Sequence, residues 1–157
     1  MSLSVDMATQ HVYYTQRLLF LQYQLHTLAK GENKMNIALW IVQILLAIAY
    51  GMAGMMKAFQ TGKAREMLPW AKRHSDSFVR LVGASELLGA LGMILPALTG
   101  ILPVLTPLTA IGLSLIQILA ILMEHLPNKE YKAIPFNVVL FVLSVFVAYG
   151  RLVVVPL

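Results

Sequence analysis

Four long apolar runs, separated by short stretches that are polar or rich in proline and glycine, set the pattern of this chain. Residues 36–59 are apolar apart from Gln43 and a terminal Lys57, and residues 78–98 carry only Arg80 at their start and Glu86 further in. Residues 101–126 stay apolar until Gln117 and the closing Glu124-His125, and residues 134–155 are interrupted only by Asn137, Ser144 and Arg151. Each run has the roughly 20 residues that an α-helix needs to cross a hydrocarbon core about 30 Å thick. The predicted fold is all-α: an integral-membrane four-helix transmembrane bundle with up-down topology. A soluble bundle is set aside, because four such runs leave no amphipathic helix to face water.

The connections differ in character. Residues 60–77 read as a polar, basic stretch with Pro69-Trp70 in its middle. Thr99-Gly100 reads as a tight uncharged turn, with Pro96, Pro103 and Pro107 capping or kinking the helix ends. Residues 127–133 form a short polar turn. The first 34 residues stand apart. Residues 13–28 have too short an apolar run to span a membrane, and there is no basic start or small-residue cleavage site of a signal peptide. Two readings of this extension stand: an interfacial helix, or a native start at Met35. Gly31-Glu32-Asn33-Lys34 can be encoded by a purine-rich stretch resembling a bacterial ribosome-binding site before that methionine. The chain accordingly divides into an extension, 1–34, and a membrane domain, 35–157.

Composition agrees with the pattern. The 157 residues are 59% hydrophobic and 12% charged, where a soluble domain carries about 25% charged residues. The formal charge of +5 reads as loop charge that orients the chain, not as a nucleic-acid surface. The first and third connections, with their flanks, hold Lys57, Lys63, Arg65, Lys72, Arg73, Arg80, Lys129 and Lys132, against Arg17, Lys30, Lys34 and Arg151 on the other side. The positive-inside rule therefore places both basic connections in the cytoplasm and both termini outside. The absence of cysteine excludes disulfides, thiolate metal sites and CxxC relays.

At about 100° per residue each helix carries one stripe of small and polar residues. These are Ala47, Gly51, Gly54 and Ala58 with Tyr50 and Lys57 alongside; Gly83, Glu86 and Ala90; Ala110, Ser114, Gln117 and Glu124; and Asn137, Phe141, Ser144, Ala148 and Arg151. Small residues let helices approach and polar ones hydrogen-bond across the contact, so the stripes are expected to face inward. An ionisable group within a membrane is costly unless paired, solvated or able to snorkel. Lys57, Glu86, Glu124, His125 and Asn137 fall at one end of the bundle and form a candidate intramembrane polar site, with Lys57–Glu86 as its ion pair. Arg80, Gln117 and Arg151 are secondary candidates. The plain alternative is that Lys57 and Arg80 snorkel, Glu124-His125 reaches the headgroups and Glu86 anchors packing. Glu124, His125 and Glu86 lack HxxxH or ExxH spacing, so no metal site is expected. No nucleophile–base constellation, phosphate loop or nucleotide fingerprint appears.

Several segments resemble the DoxX-like family of small bacterial membrane proteins. They are Gly54-Met55-Met56-Lys57, Leu68-Pro69, the run from Arg80-Leu81-Val82-Gly83-Ala84-Ser85-Glu86 to Leu95-Pro96, then His125, Asn137 and Ala148-Tyr149-Gly150-Arg151. They occur in order across residues 36–155. The resemblance implies a four-helix transmembrane bundle and little chemistry. The family takes its name from a subunit of a thiosulfate:quinone oxidoreductase, and other relatives are linked to oxidative-stress complexes or receptor assembly. Thiol-dependent quinone chemistry is closed to a chain without cysteine. The leading expectation is an accessory protein or subunit of a membrane complex, with lipid and partner proteins as its contacts and no catalytic site or cofactor of its own. The alternatives are a quinone-associated redox component using Lys57, Glu86 and His125, and a small transporter or channel. Four helices are few to enclose a path, so transport would call for a homo-oligomer.

Overall fold

The computed structural model describes the backbone from Ser2 to Leu157 and the side chains of residues 18, 19, 22, 30, 31 and 33–157. It divides into two units, Met1–Asn36 and Ile37–Leu157. Helix α1 (Ser2–Phe59) carries the chain through both. The side chains on which an interfacial reading of residues 13–28 turns lie almost entirely outside the described residues. In the second unit follow α2 (Thr61–Met67), a 3₁₀ segment (Pro69–Arg73), α3 (Asp76–Thr99), α4 (Leu105–Leu119) and α5 (Ile134–Tyr149). Four stretches, Asn33–Phe59, Asp76–Thr99, Leu105–His125 and Ile134–Val154, are long and apolar enough to cross a membrane.

Contacts between the helices fix their directions. Gln43 meets Met93, Gly51 faces Ala90, and Ala58 faces Gly83, so numbers fall along α3 as they rise along α1. Gly92 meets Thr109 and Gly89 meets Leu113 between α3 and α4. Leu39 meets Gly150 and Tyr50 meets Ser144 between α1 and the fourth span. Each neighbour is antiparallel, which gives the up-down bundle. Leu46, Tyr50, Met93, Ala110, Leu113 and Val147 fill its core. Leu88, Leu91, Leu95, Leu115 and Val142 stand exposed on the outer faces. An apolar exterior of this kind takes a lipid bilayer as its solvent.

Helices α1 and α3 approach backbone to backbone. A Cβ on Gly83 would lie 2.5 Å from the Ala58 nitrogen, and one on Gly54 would lie 2.7 Å from the Gly83 oxygen. Both obstacles are backbone, which no rotamer change relieves. The small-residue stripes thus have a mechanical reason: they bring Lys57 of α1 within reach of Glu86 of α3.

Three local features depart from the sequence pattern. Residues 60–77 are folded. Ala64 and Ala71 pack with Val79 of α3, under Met56, Leu68 and Trp70, and the Ser75 hydroxyl caps α3 by accepting from the Phe78 nitrogen at 3.3 Å. Next, the third span opens at Leu105, not Ile101. Gly100 ends α3 with φ 70°, the left-handed conformation suited to glycine. Pro103 then disfavours helix in the residue before it, and Leu102 sits at φ 49°. Finally, α4 and α5 both end in π-helical turns, Ala120–His125 and Gly150–Val154, closed by bonds from the Leu126 nitrogen to Ile121 and from the Val155 nitrogen to Gly150. Such turns are rare and recur at functional sites; these two carry His125 and Arg151.

Candidate functional site

All four spanning helices and the folded 60–77 segment surround a cavity of about 470 Å³ at one end of the bundle. Its walls are largely apolar, with Ala53 of α1, Val82 of α3, Ile116 and Ala120 of the third span and Leu140 of α5 among them. Into this lining are set Lys57, Glu86, Gln117, Glu124, His125 and Asn137, together with Tyr50 and His74. The five residues of the primary candidate set therefore share one cavity, joined by Gln117.

The centre is the Lys57–Glu86 pair. Lys57 is 8% and Glu86 4% exposed, and the Lys57 ammonium donates to Glu86 Oε1 at 2.5 Å. Lys57 does not snorkel; its Nζ also lies 5.7 Å from the Trp70 ring centroid, in cation–π range. Removing one partner of a buried pair leaves the other uncompensated, at a cost of about 3–5 kcal/mol. Glu86 Oε2 is buried, and none of the described residues donates a hydrogen bond to it. Nearby, the Tyr50 and Ser144 hydroxyls are 3.3 Å apart.

Towards the connecting segments the lining becomes a network. His74 Nε2 and Glu124 Oε1 are 2.6 Å apart, and His125 Nδ1 and Glu130 Oε2 are 2.9 Å apart. Arg73 joins the two pairs, donating to Glu130 at 2.7 Å and to Glu124 at 3.1 Å. Desolvation works to raise the Glu130 carboxyl, but the hydrogen bonds from Arg73 and His125 outweigh it and hold the group below its ordinary 4.5. The Glu130 hydrogen bond in turn keeps Arg73 more firmly protonated. Trp70, His74 and Phe78 also form an aromatic run, with ring centroids 6.0 and 4.7 Å apart, along one wall.

The remaining candidates lie elsewhere. The Arg80 guanidinium donates to Thr61 Oγ1 at 3.2 Å, tying α3 to α2. Arg151 sits at the opposite end, donating to Gln43 at 2.7 Å, with its guanidinium 5.5 Å from the Trp40 ring. His74, Arg73 and Glu130 were not singled out from the sequence. The spacing of four from Trp70 to His74 to Phe78 is visible there, yet a basic stretch containing proline reads as a loop.

Residues 41–147, well over half of the chain, match the model of the DoxX-like family. The chain belongs to the DoxX-like family. No curated protein and no solved structure matches it. The matched region of this DoxX-like protein contains every residue named at the cavity, while Arg151 lies beyond it.

Proposed function

We propose that this protein is a membrane-embedded binding component for lipid-soluble ring compounds of the quinone class, working as a subunit or accessory of a membrane complex that supplies the electron chemistry. The observation that carries the reading is the cavity: apolar walls, an aromatic run along one side and a buried ion pair set into the lining. Small-molecule sites have this make-up, typically about 300–1,000 Å³ of mainly apolar space with a few placed polar groups. Lys57 supplies hydrogen-bond donors for a ring oxygen, and the rings of Trp70 and Phe78 supply a stacking surface. The Arg73, His74, Glu124, His125 and Glu130 network holds the 60–77 segment against the turn after the third span, at the cavity's polar end.

The test is extraction. Protein purified in mild detergent from quinone-replete membranes should carry quinone in stoichiometric amount, and Ala120→Phe, which adds bulk to the cavity wall, should lose it. Folded protein without bound quinone at saturating supply would overturn the reading. Orientation belongs to the same proposal, with the cavity end and its basic connections on the cytoplasmic side of a bacterial inner membrane. Because the chain has no cysteine, Lys72→Cys and Gly100→Cys each give a single thiol. An impermeant maleimide added to intact cells should label the latter and spare the former.

A further inference from the structure

The polar groups at the ion pair specify more than a ring oxygen. Glu86 Oε1 is taken up by Lys57, whereas Oε2 is buried with no donor among the described residues. A buried acceptor left unmatched costs about 1–3 kcal/mol, and more when charged. Lys57, for its part, has three N–H donors, of which the bond to Glu86 occupies one. The pair thus offers a donor and an acceptor side by side on residues that both line the cavity. A quinone carbonyl can meet only the donor. A hydroxyl is the smallest group that meets both, because it accepts from Lys57 while donating to Glu86.

We infer that the cavity selects aromatic alcohols, phenols and the reduced hydroxyl form of quinone-class rings, over their carbonyl or ether counterparts, and that Glu86 Oε2 is the specificity-determining acceptor. This rests on the binding role proposed above and adds the identity of the preferred head group. The aromatic run of Trp70, His74 and Phe78 accounts for the ring, and the unmatched carboxylate oxygen accounts for the hydroxyl.

The experiment compares para-hexylphenol with para-hexylanisole, which replaces the hydroxyl proton by methyl, and with a short-tailed benzoquinone. Each is titrated into the full chain in lipid nanodiscs, and partition into protein-free nanodiscs is subtracted. The phenol should bind at least about tenfold more tightly than the anisole, the factor expected when a hydrogen bond to a charged group is lost. It should also outbind the benzoquinone. In Glu86→Gln the phenol's advantage should collapse. Equal binding of the three probes overturns this inference and leaves the binding role standing. An undiminished phenol preference in Glu86→Gln overturns the assignment to that carboxylate. Failure of all three to saturate removes the binding role and this inference with it. Should Glu86→Gln fail to fold, the phenol–anisole ratio on the unaltered chain still decides whether a hydroxyl is selected. An isotope-edited infrared shift of the glutamate carboxylate band, present with the phenol, absent with the anisole and retained in Glu124→Gln, then reports the acceptor.

Discussion

The two ends of the bundle bury polar groups to different effect. At one end Arg151 donates to Gln43, whose amide donates onward to the Met93 carbonyl at 2.8 Å, and the Leu39 side chain packs against Gly150. Three helices are tied there by side chains seated between them. At the other end Lys57 and Glu86 tie two helices, but around them the bundle stays open as a cavity, with an acceptor unmatched. An intramembrane charge is therefore not by itself a functional site. On the proposed reading, the neighbouring volume separates a polar clamp from a polar site.

The largest effect should come from breaking the pair at the cavity end. Glu86→Ala leaves Lys57 buried and unpaired and should cost about 3–5 kcal/mol in detergent or bicelle unfolding. The double variant Lys57→Met with Glu86→Gln should be clearly more stable than the sum of the single losses; strict additivity would show that the two side chains do not interact. Gly83→Ala comes next, at about 1–3 kcal/mol, because backbone obstructs the new methyl. Gly112→Ala, with nothing within 4 Å of the added atom, should be neutral or slightly stabilising in the same assay. Equal losses at the two glycines would contradict the close contact.

At the clamp end Gln43→Leu should cost about 1.5–3 kcal/mol by removing a hydrogen bond to a charged group, while leaving ring-compound affinity unchanged. A fall in affinity there would dissolve the distinction between the ends. The smallest effect belongs to Glu130. Its folded carboxyl titrates below the ordinary 4.5, so its contribution to stability is complete above that value and disappears as pH falls through the folded one. Glu130→Gln should flatten that part of the acid limb in a melting-temperature series. An unchanged acid limb would remove Glu130 from the network.

Much of this was legible in the sequence because membrane helices obey few rules. Run length gives the spans, and small-residue stripes give the inward faces, so Lys57 and Glu86 could be matched by register alone. The folding of residues 60–77 was hidden, since its core rests on Ala64 and Ala71, residues too small to stand out in a basic stretch. The π-helical turns were hidden for a related reason. A widened turn depends on which neighbours fill the space, and no residue type announces it. Glu130 lay in a short polar turn, and its partner Arg73 is distant in sequence. The cavity itself is a property of four surfaces failing to meet, and no single helix records it.

The most direct test of the account uses the two tryptophans, Trp40 at the clamp and Trp70 in the cavity wall. With Trp40→Phe as background, Trp70 is the only indole reporter. Titration of a short-tailed benzoquinone into nanodiscs should quench its fluorescence to saturation, and Ala53→Phe, which adds bulk to the cavity wall, should abolish the saturable part. In the converse Trp70→Phe background, Trp40 should show only the linear quenching of lipid partition. Linear quenching of both tryptophans, unaffected by Ala53→Phe, would contradict the claim that the cavity is a binding site.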